Sequence, residues 1–195
     1  MLNSAIIILA AGSSSRLGKP KQLLEYRGKT LIQHAITSSE NANIDKVIVV
    51  LGANHDLISK DIRVGERIKY VVNYAWHEGM SSSIKLGLTF LQKIFRPDCV
   101  ILAVCDQPFI NSSLLNDLIQ THIDSKKPII ACSYENTIGT PVLFDKTFFP
   151  VLIKLQGDHG AKKIIMQHPG EFVTIPFPPG DIDIDTKEQY DALIK

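Results

Sequence analysis

Short, nearly unbroken apolar runs alternate along this chain with longer stretches in which apolar residues recur every three or four positions. The runs at 5–9, 46–51, 68–72 and 99–104 are rich in Ile and Val and predict strands, and 129–132 and 172–175 are shorter candidates. Because these runs are continuous rather than alternating, each strand is expected to be covered on both faces, as in a parallel sheet. Between them, 31–39, 82–94, 112–124 and 186–194 carry helical spacing; Leu114, Leu115, Leu118, Ile119 and His122 follow the cap-like pair Asn111-Ser112. Repeated strand–helix–strand units imply right-handed crossovers and an α/β fold: a three-layer, Rossmann-like open sheet, mostly parallel, with helices on both faces. With no internal repeat or long linker in the sequence, residues 1–195 are expected to form one domain. In such sheets a ligand lies beyond the carboxyl ends of the strands, which directs attention to the residues after Leu9, Val72 and Val104.

Composition narrows the classes. Apolar residues make up 45% and charged residues 21% of 195, as in folded globular chains. Lys and Arg number 21 against 20 Asp and Glu, a net charge of +1 that does not build the broad basic face of a nucleic-acid binder. Cys99, Cys105 and Cys132 contain no C-x-x-C pair and sit in apolar stretches, so buried structural thiols are expected rather than a disulfide framework or zinc ribbon. The longest apolar run, 5–11, is too short to span a bilayer, and no basic residue precedes it as in a secretory signal. A cytoplasmic location is the expectation.

Charge is uneven. Over residues 1–30, Arg16, Lys19, Lys21, Arg27 and Lys29 face Glu25 alone, a local net of +4; residues 171–195 hold six acids against Lys187 and Lys195, a net of −4. The basic segment follows a small-residue loop, Leu9-Ala10-Ala11-Gly12-Ser13-Ser14-Ser15-Arg16-Leu17-Gly18-Lys19-Pro20-Lys21-Gln22-Leu23-Leu24. Small side chains let backbone N–H groups approach an anion closely, so a triphosphate cradle is one reading and an ordinary strand-to-helix turn with a solvated basic flank is the other. It is not a Walker A loop, because five residues separate Gly12 from Gly18 and Pro20 stands where Ser or Thr is required. Nor is G-x-G-x-x-G present. Asp106 follows the 99–104 strand at its carboxyl end, where it could bind a ligand or cap the segment after Pro108. A nucleoside triphosphate travels with Mg²⁺, which takes one or two protein carboxylates plus phosphate oxygens and waters, and the acidic C-terminal segment could supply a second carboxylate.

The segment from Leu9 to Leu24 resembles the signature loop of the nucleotidyltransferases related to the molybdenum cofactor guanylyl- and cytidylyltransferases. Further blocks are similar to the cytidylyltransferase branch, in order: Gly79-Met80-Ser81-Ser82-Ser83, Cys105-Asp106-Gln107-Pro108, Gly139-Thr140-Pro141-Val142, Gly157-Asp158-His159-Gly160-Ala161 and Asp183-Ile184-Asp185-Thr186. The resemblance implies that Leu9, Ala10, Ala11, Gly12, Ser13, Lys21, Gly79, Ser83 and Asp106 contact the nucleotide. It further implies that Arg16 and Lys21 act on the phosphates, and that Asp106 with Asp185 holds Mg²⁺. Asp183 competes with Asp185, which could alternatively cap the helix at 186. At least one of Ser81, Ser82 and Ser83 is expected to cap a helix, Trp76 to lie in the core or else in the pocket wall, and Asp158, in a turn between helices, to touch the acceptor. Thr140 is a departure, since a bulkier polar residue, often His, is commoner there.

The implied reaction is nucleotidyl transfer, most directly CMP from CTP (GTP being the other base considered) to the terminal phosphate of a molybdopterin-type acceptor. A related transferase acting on a phosphorylated sugar or polyol, and a non-catalytic carrier that hands the cofactor to a molybdenum hydroxylase apo-enzyme, are the alternatives. Neither nucleic acid nor membrane is an expected partner. None of the six histidines shows paired metal-ligand spacing.

Overall fold

The computed structural model describes residues 2–194. Its strands are β1 (Ser4–Ala10), β2 (Glu25–Tyr26), β3 (Lys29–Thr30), β4 (Lys46–Leu51), β5 (Ile68–Val72), β6 (Cys99–Val104), β7 (Ile129–Tyr134), β8 (Thr137–Asp145) and β9 (Phe172–Pro176). Seven of them form one sheet in the order β5-β4-β1-β6-β8-β7-β9. β4 and β6 flank β1 in parallel, β5 extends that side in parallel, and β7 pairs in parallel with β9. Only β8 runs against its neighbours β6 and β7. The mostly parallel open sheet read from the sequence is therefore present.

Strand β1 shows why its apolar run is continuous. Ile6, Ile8 and Ala10 belong to one core cluster and Ala5, Ile7 and Leu9 to another, on opposite faces, and every residue of the strand is buried. Helices α1 (Leu31–Glu40) and α4 (Ser112–Ser125) pack on the first face, while α3 (Met80–Ile94), α5 (Phe149–Ile153) and α6 (Ala161–Gln167) pack on the second. Gly87 of α3 allows the close approach: a Cβ there would lie 2.8 Å from a Val50 methyl and 2.9 Å from one of Ile7. The remaining helices are the single turn α2 (His55–Ile58) and α7 (Lys187–Leu193). Among the described residues no helix is long and apolar enough to cross a membrane.

Several elements escape the sequence pattern. β8 contains Gly139 and Pro141, and the β7–β8 register shifts between Ala131 and Cys132 opposite this stretch, so no clean strand period survives there. The turn at 157–161 does join two helices, but α5 and α6 are five and seven residues long, too short for a periodicity to be read. The β2–β3 hairpin has two residues per strand and is held by a small satellite core in which Leu24, Tyr26, Leu31 and Ile184 pack with Leu17, Tyr190 and Leu193. That cluster docks α7 against the basic segment. The three cysteines are buried and free, as expected. Burial pushes the Cys99 and Cys132 thiols up to about 12, and Cys105 is raised by burial and then by the Asp106 charge.

Candidate active site

Two neighbouring strand ends and the C-terminal segment meet in one place. β1 ends at Ala10 and leads into an open loop with two single 3₁₀ turns, Ser15–Leu17 and Lys21–Leu23, which carry Arg16 and Lys21. β6 ends at Val104 and delivers Asp106 beside β1. Asp185 arrives because Ile184, fully buried in the satellite core, donates its backbone N–H to the Asp106 carbonyl at 3.2 Å.

Lys21 bridges the two aspartates. Its ammonium pairs with Asp106 Oδ2 and lies 2.8 Å from Asp185 Oδ1, while the second Asp185 oxygen accepts from Arg16 at 2.7 Å. The Lys21 and Asp106 side chains are each 15% exposed, whereas Arg16 is 68% exposed at the rim. Burial works against the charged Lys21, but the Asp106 carboxylate and hydrogen bonds to both aspartates outweigh it and hold its pKa above the usual lysine value. The hydrogen bond from Lys21, opposed by partial desolvation and aided by the Lys21 and Arg16 charges, holds the Asp185 carboxyl below its ordinary value.

Neither aspartate is a helix cap. Thr186 caps α7 in a reciprocal box with Gln189, and Asn111 caps α4, so both capping alternatives fall. Asp183, one residue the other side of Ile184, takes no hydrogen bond from Lys21. Partial desolvation of its carboxyl, with the nearby Asp106 and Asp185 charges, pushes it up to about 6.

Above this cluster lies a cleft of about 270 Å³, just below the usual range for ligand sites, about 300–1,000 Å³. Leu9, Ala11, Gly12, Lys21, Gly79, Ser83, Asp106 and Asp158 line it, together with Trp76, Met80 and Val104. Of the loop residues named from the sequence, Ala10 and Ser13 do not line it: Ala10 is in the core and Ser13 lies exposed on the loop. Of the two places open to it, the core and the pocket wall, Trp76 occupies the wall. It is half-buried on the cleft wall, braced by Gly52, where a Cβ would come within 2.7 Å of the Trp76 Cβ and 2.6 Å of the Ala11 carbonyl oxygen.

The serine block opens α3, but no serine caps it; the N-cap is Gly79, at φ 101° and ψ 176°. That glycine is needed there, because a Cβ would lie 2.6 Å from both the Gly157 carbonyl oxygen and an Asp158 carboxylate oxygen. Ser81 N–H then bonds the Gly157 carbonyl at 3.2 Å, which fastens the 157–158 turn and Asp158 to the cleft. Sequence reasoning missed buried Asn73, which donates to Ser82 Oγ at 2.8 Å and Ser83 Oγ at 2.9 Å and accepts from the Ala75 N–H. It also missed Gln22, buried in the turn that carries Lys21. Nothing local flags it: Gln22 stands between Lys21 and Leu23, at the edge of the basic segment, where a glutamine is ordinarily solvent-exposed.

The donor set fits a small divalent cation. Asp106 Oδ1 is buried with no hydrogen-bond partner, a costly state for a carboxylate oxygen, and Asp185 offers a second carboxylate on the far side of one ammonium. Two carboxylates suit Mg²⁺, which completes its shell from phosphate oxygens and water.

The mostly parallel sheet, with this cluster at the carboxyl ends of its strands, is the nucleotide-diphospho-sugar transferase fold. Residues 6–172 match the model of the MobA-like NTP transferase domain, and the chain belongs to that family. It is 29% identical to nicotine blue oxidoreductase of Paenarthrobacter nicotinovorans over 96% of this chain and 95% of that one. It is 25% identical to the purine catabolism protein PucB of Bacillus subtilis over 96% and 94%. Among solved structures, Rv0371c of Mycobacterium tuberculosis H37Rv superposes with a TM-score of 0.84 at 27% identity, covering 99% of this chain and 98% of that one. A structure of Rv0371c in complex with manganese is similar at a TM-score of 0.77 and 26% identity, covering 98% of each chain.

Proposed function

We propose that this nucleotidyltransferase moves CMP from CTP to the terminal phosphate of a molybdopterin-type acceptor, with Mg²⁺, in the cytoplasm. The observation that carries the reading is the Lys21 ammonium clasped between Asp106 and Asp185 at the floor of the cleft. An ammonium has three donors, of which two serve the carboxylates, leaving one for an α-phosphate oxygen. Arg16, exposed at the rim, takes the β and γ phosphates. The small-residue turn 9–13 approaches the nucleotide through its backbone, Ser83 and Gly79 meet base and ribose, and Asp158 faces the acceptor. The choice of cytosine and of molybdopterin rests on the likeness of the blocks at 79–83, 105–108, 157–161 and 183–186 to the cytidylyltransferase branch.

A phosphate monoester has its second pKa near 6, so the acceptor is largely a dianion at neutral pH and needs no general base. Its oxygen forms a bond to the α-phosphorus as the α–β bridging bond breaks, and pyrophosphate leaves. Mg²⁺ held by Asp106 and Asp185 would supply charge neutralisation across the phosphates. Lys21 and Arg16 hold the donor in line and offset its charge, which is how such transfers are accelerated.

Pyrophosphate release with each of the four nucleoside triphosphates and Mg²⁺, with and without molybdenum cofactor, tests the reading. Release is expected with CTP and the cofactor. Release with GTP instead changes the base, and release with a phosphorylated sugar or polyol changes the acceptor. No release under any condition leaves a carrier of the cofactor.

A further inference from the structure

We propose that Gln22 is a positioning residue that makes the loop after β1 an anion cradle by tying back its carbonyl oxygens. The inference rests on the assignment of this cleft to a nucleoside triphosphate, and concerns a residue that touches no ligand.

Gln22 is fully buried, which is unusual for a glutamine unless its amide is satisfied. Its Nε2 donates to the Ala10 carbonyl at 2.9 Å and the Gly12 carbonyl at 3.1 Å. Its Oε1 accepts from the Ser14 hydroxyl at 3.4 Å, and the Ser14 oxygen accepts the Lys21 N–H at 2.9 Å. The intervening Ala11 carbonyl is taken by the Ala53 N–H at 3.1 Å. Three consecutive carbonyls, the groups that would repel a phosphate, are thus each held by a protein donor. Among the described residues, no oxygen accepts from the N–H groups of Gly12, Ser13 or Ser14. A turn whose carbonyls at 10–12 are engaged and whose following N–H groups are free carries a net partial positive charge, the condition for anion binding by a backbone concavity. The same side chain links the loop to Lys21 through Ser14, so loop and ammonium share one register.

The test compares wild type with Gln22→Met, which keeps length and bulk but removes both carbonyl donors, and with Ser14→Ala. Affinities for CTP, GTP, ATP and UTP are measured by calorimetry with MgCl₂, and affinity for Mn²⁺ alone by electron paramagnetic resonance. The tightest-binding triphosphate should bind Gln22→Met about tenfold or more weakly, because two freed carbonyls can turn toward the phosphates. Mn²⁺ affinity should be unchanged, since Asp106 and Asp185 are untouched. Equal triphosphate affinity in Gln22→Met and wild type overturns the proposal. A parallel loss of Mn²⁺ binding also overturns it, because a merely structural role would loosen both. If Gln22→Met does not fold, Ser14→Ala carries the same comparison with a smaller expected loss, and wild-type triphosphate affinity in that variant overturns the proposal. A wild-type protein that binds none of the four triphosphates overturns the triphosphate assignment itself, an outcome distinct from wild-type binding that Gln22→Met retains.

Discussion

Lys21 Nζ and Asp185 Oδ1 lie 2.8 Å apart although 164 positions separate them in the chain. The contact exists because two unrelated packing events coincide. Ile184 is buried against Leu24, Tyr26 and Leu31, and the Tyr190 hydroxyl donates to the Glu25 carbonyl at 2.8 Å. Together they hold the acidic end of the chain over the basic segment that follows β1.

Lys21→Ala should abolish most turnover while sparing the fold. Removing one preorganised cationic donor costs on the order of 10²–10³ in kcat. The variant also relieves Asp106 and Asp185 of their internal counter-ion, so Mn²⁺ should bind at least as tightly as to wild type. Steady-state pyrophosphate release and metal titration check the two halves. Wild-type turnover removes Lys21 from the chemistry.

Asp106→Asn and Asp185→Asn should each weaken Mn²⁺ binding by more than the roughly 10–100-fold seen when only an outer partner of a metal ligand is lost. Asp183→Asn should leave it within a few-fold, because Asp183 takes no part in the Lys21 clasp. A larger loss at Asp183 than at Asp185 would reassign the second ligand.

Asp183 also sets a pH dependence. Its folded pKa of about 6 is above the ordinary carboxylate value, so between about pH 4 and 6 the folded state binds more protons than the unfolded chain. This residue therefore favours folding at low pH and loses that contribution as pH rises through 6. Asp185 acts in the opposite sense: its depressed pKa adds stability above the unfolded value near 4 and loses it as pH falls further. Thermal melts from pH 4 to 7 should show a downward component that Asp183→Asn removes. An unchanged slope would contradict it.

Gly79→Ala should destabilise the protein by about 1–3 kcal/mol, the usual cost of a side chain in this backbone region. The new methyl would also push against Gly157 and Asp158, so a variant that folds should lose activity through displacement of the 157–158 turn. Urea denaturation and acceptor KM check these together.

Much of this molecule is determined locally. The unbroken apolar runs of β1, β4 and β6 settle a sheet covered on both faces, because each residue must bury its side chain on one side or the other. Placing Asp106 at the end of β6 next to the loop after β1 follows from that parallel order. The helices at 31–39 and 186–194 were legible from their spacing, although their caps, Thr30 and Thr186, emerged only in the structure. Long-range packing decided the rest. Asp185 rather than Asp183 faces Lys21 because Ile184 is driven into the satellite core, and no local pattern specifies which neighbour of a buried residue will meet a distant ammonium. Trp76 reaches the cleft wall because Gly52, the residue after β4, has no side chain and lets the Trp76 Cβ close in beside Ala11. Gln22 turns inward because three carbonyl and hydroxyl partners from residues 10 to 14 await it, and such a hydrogen-bond closure has no periodicity for a sequence to display.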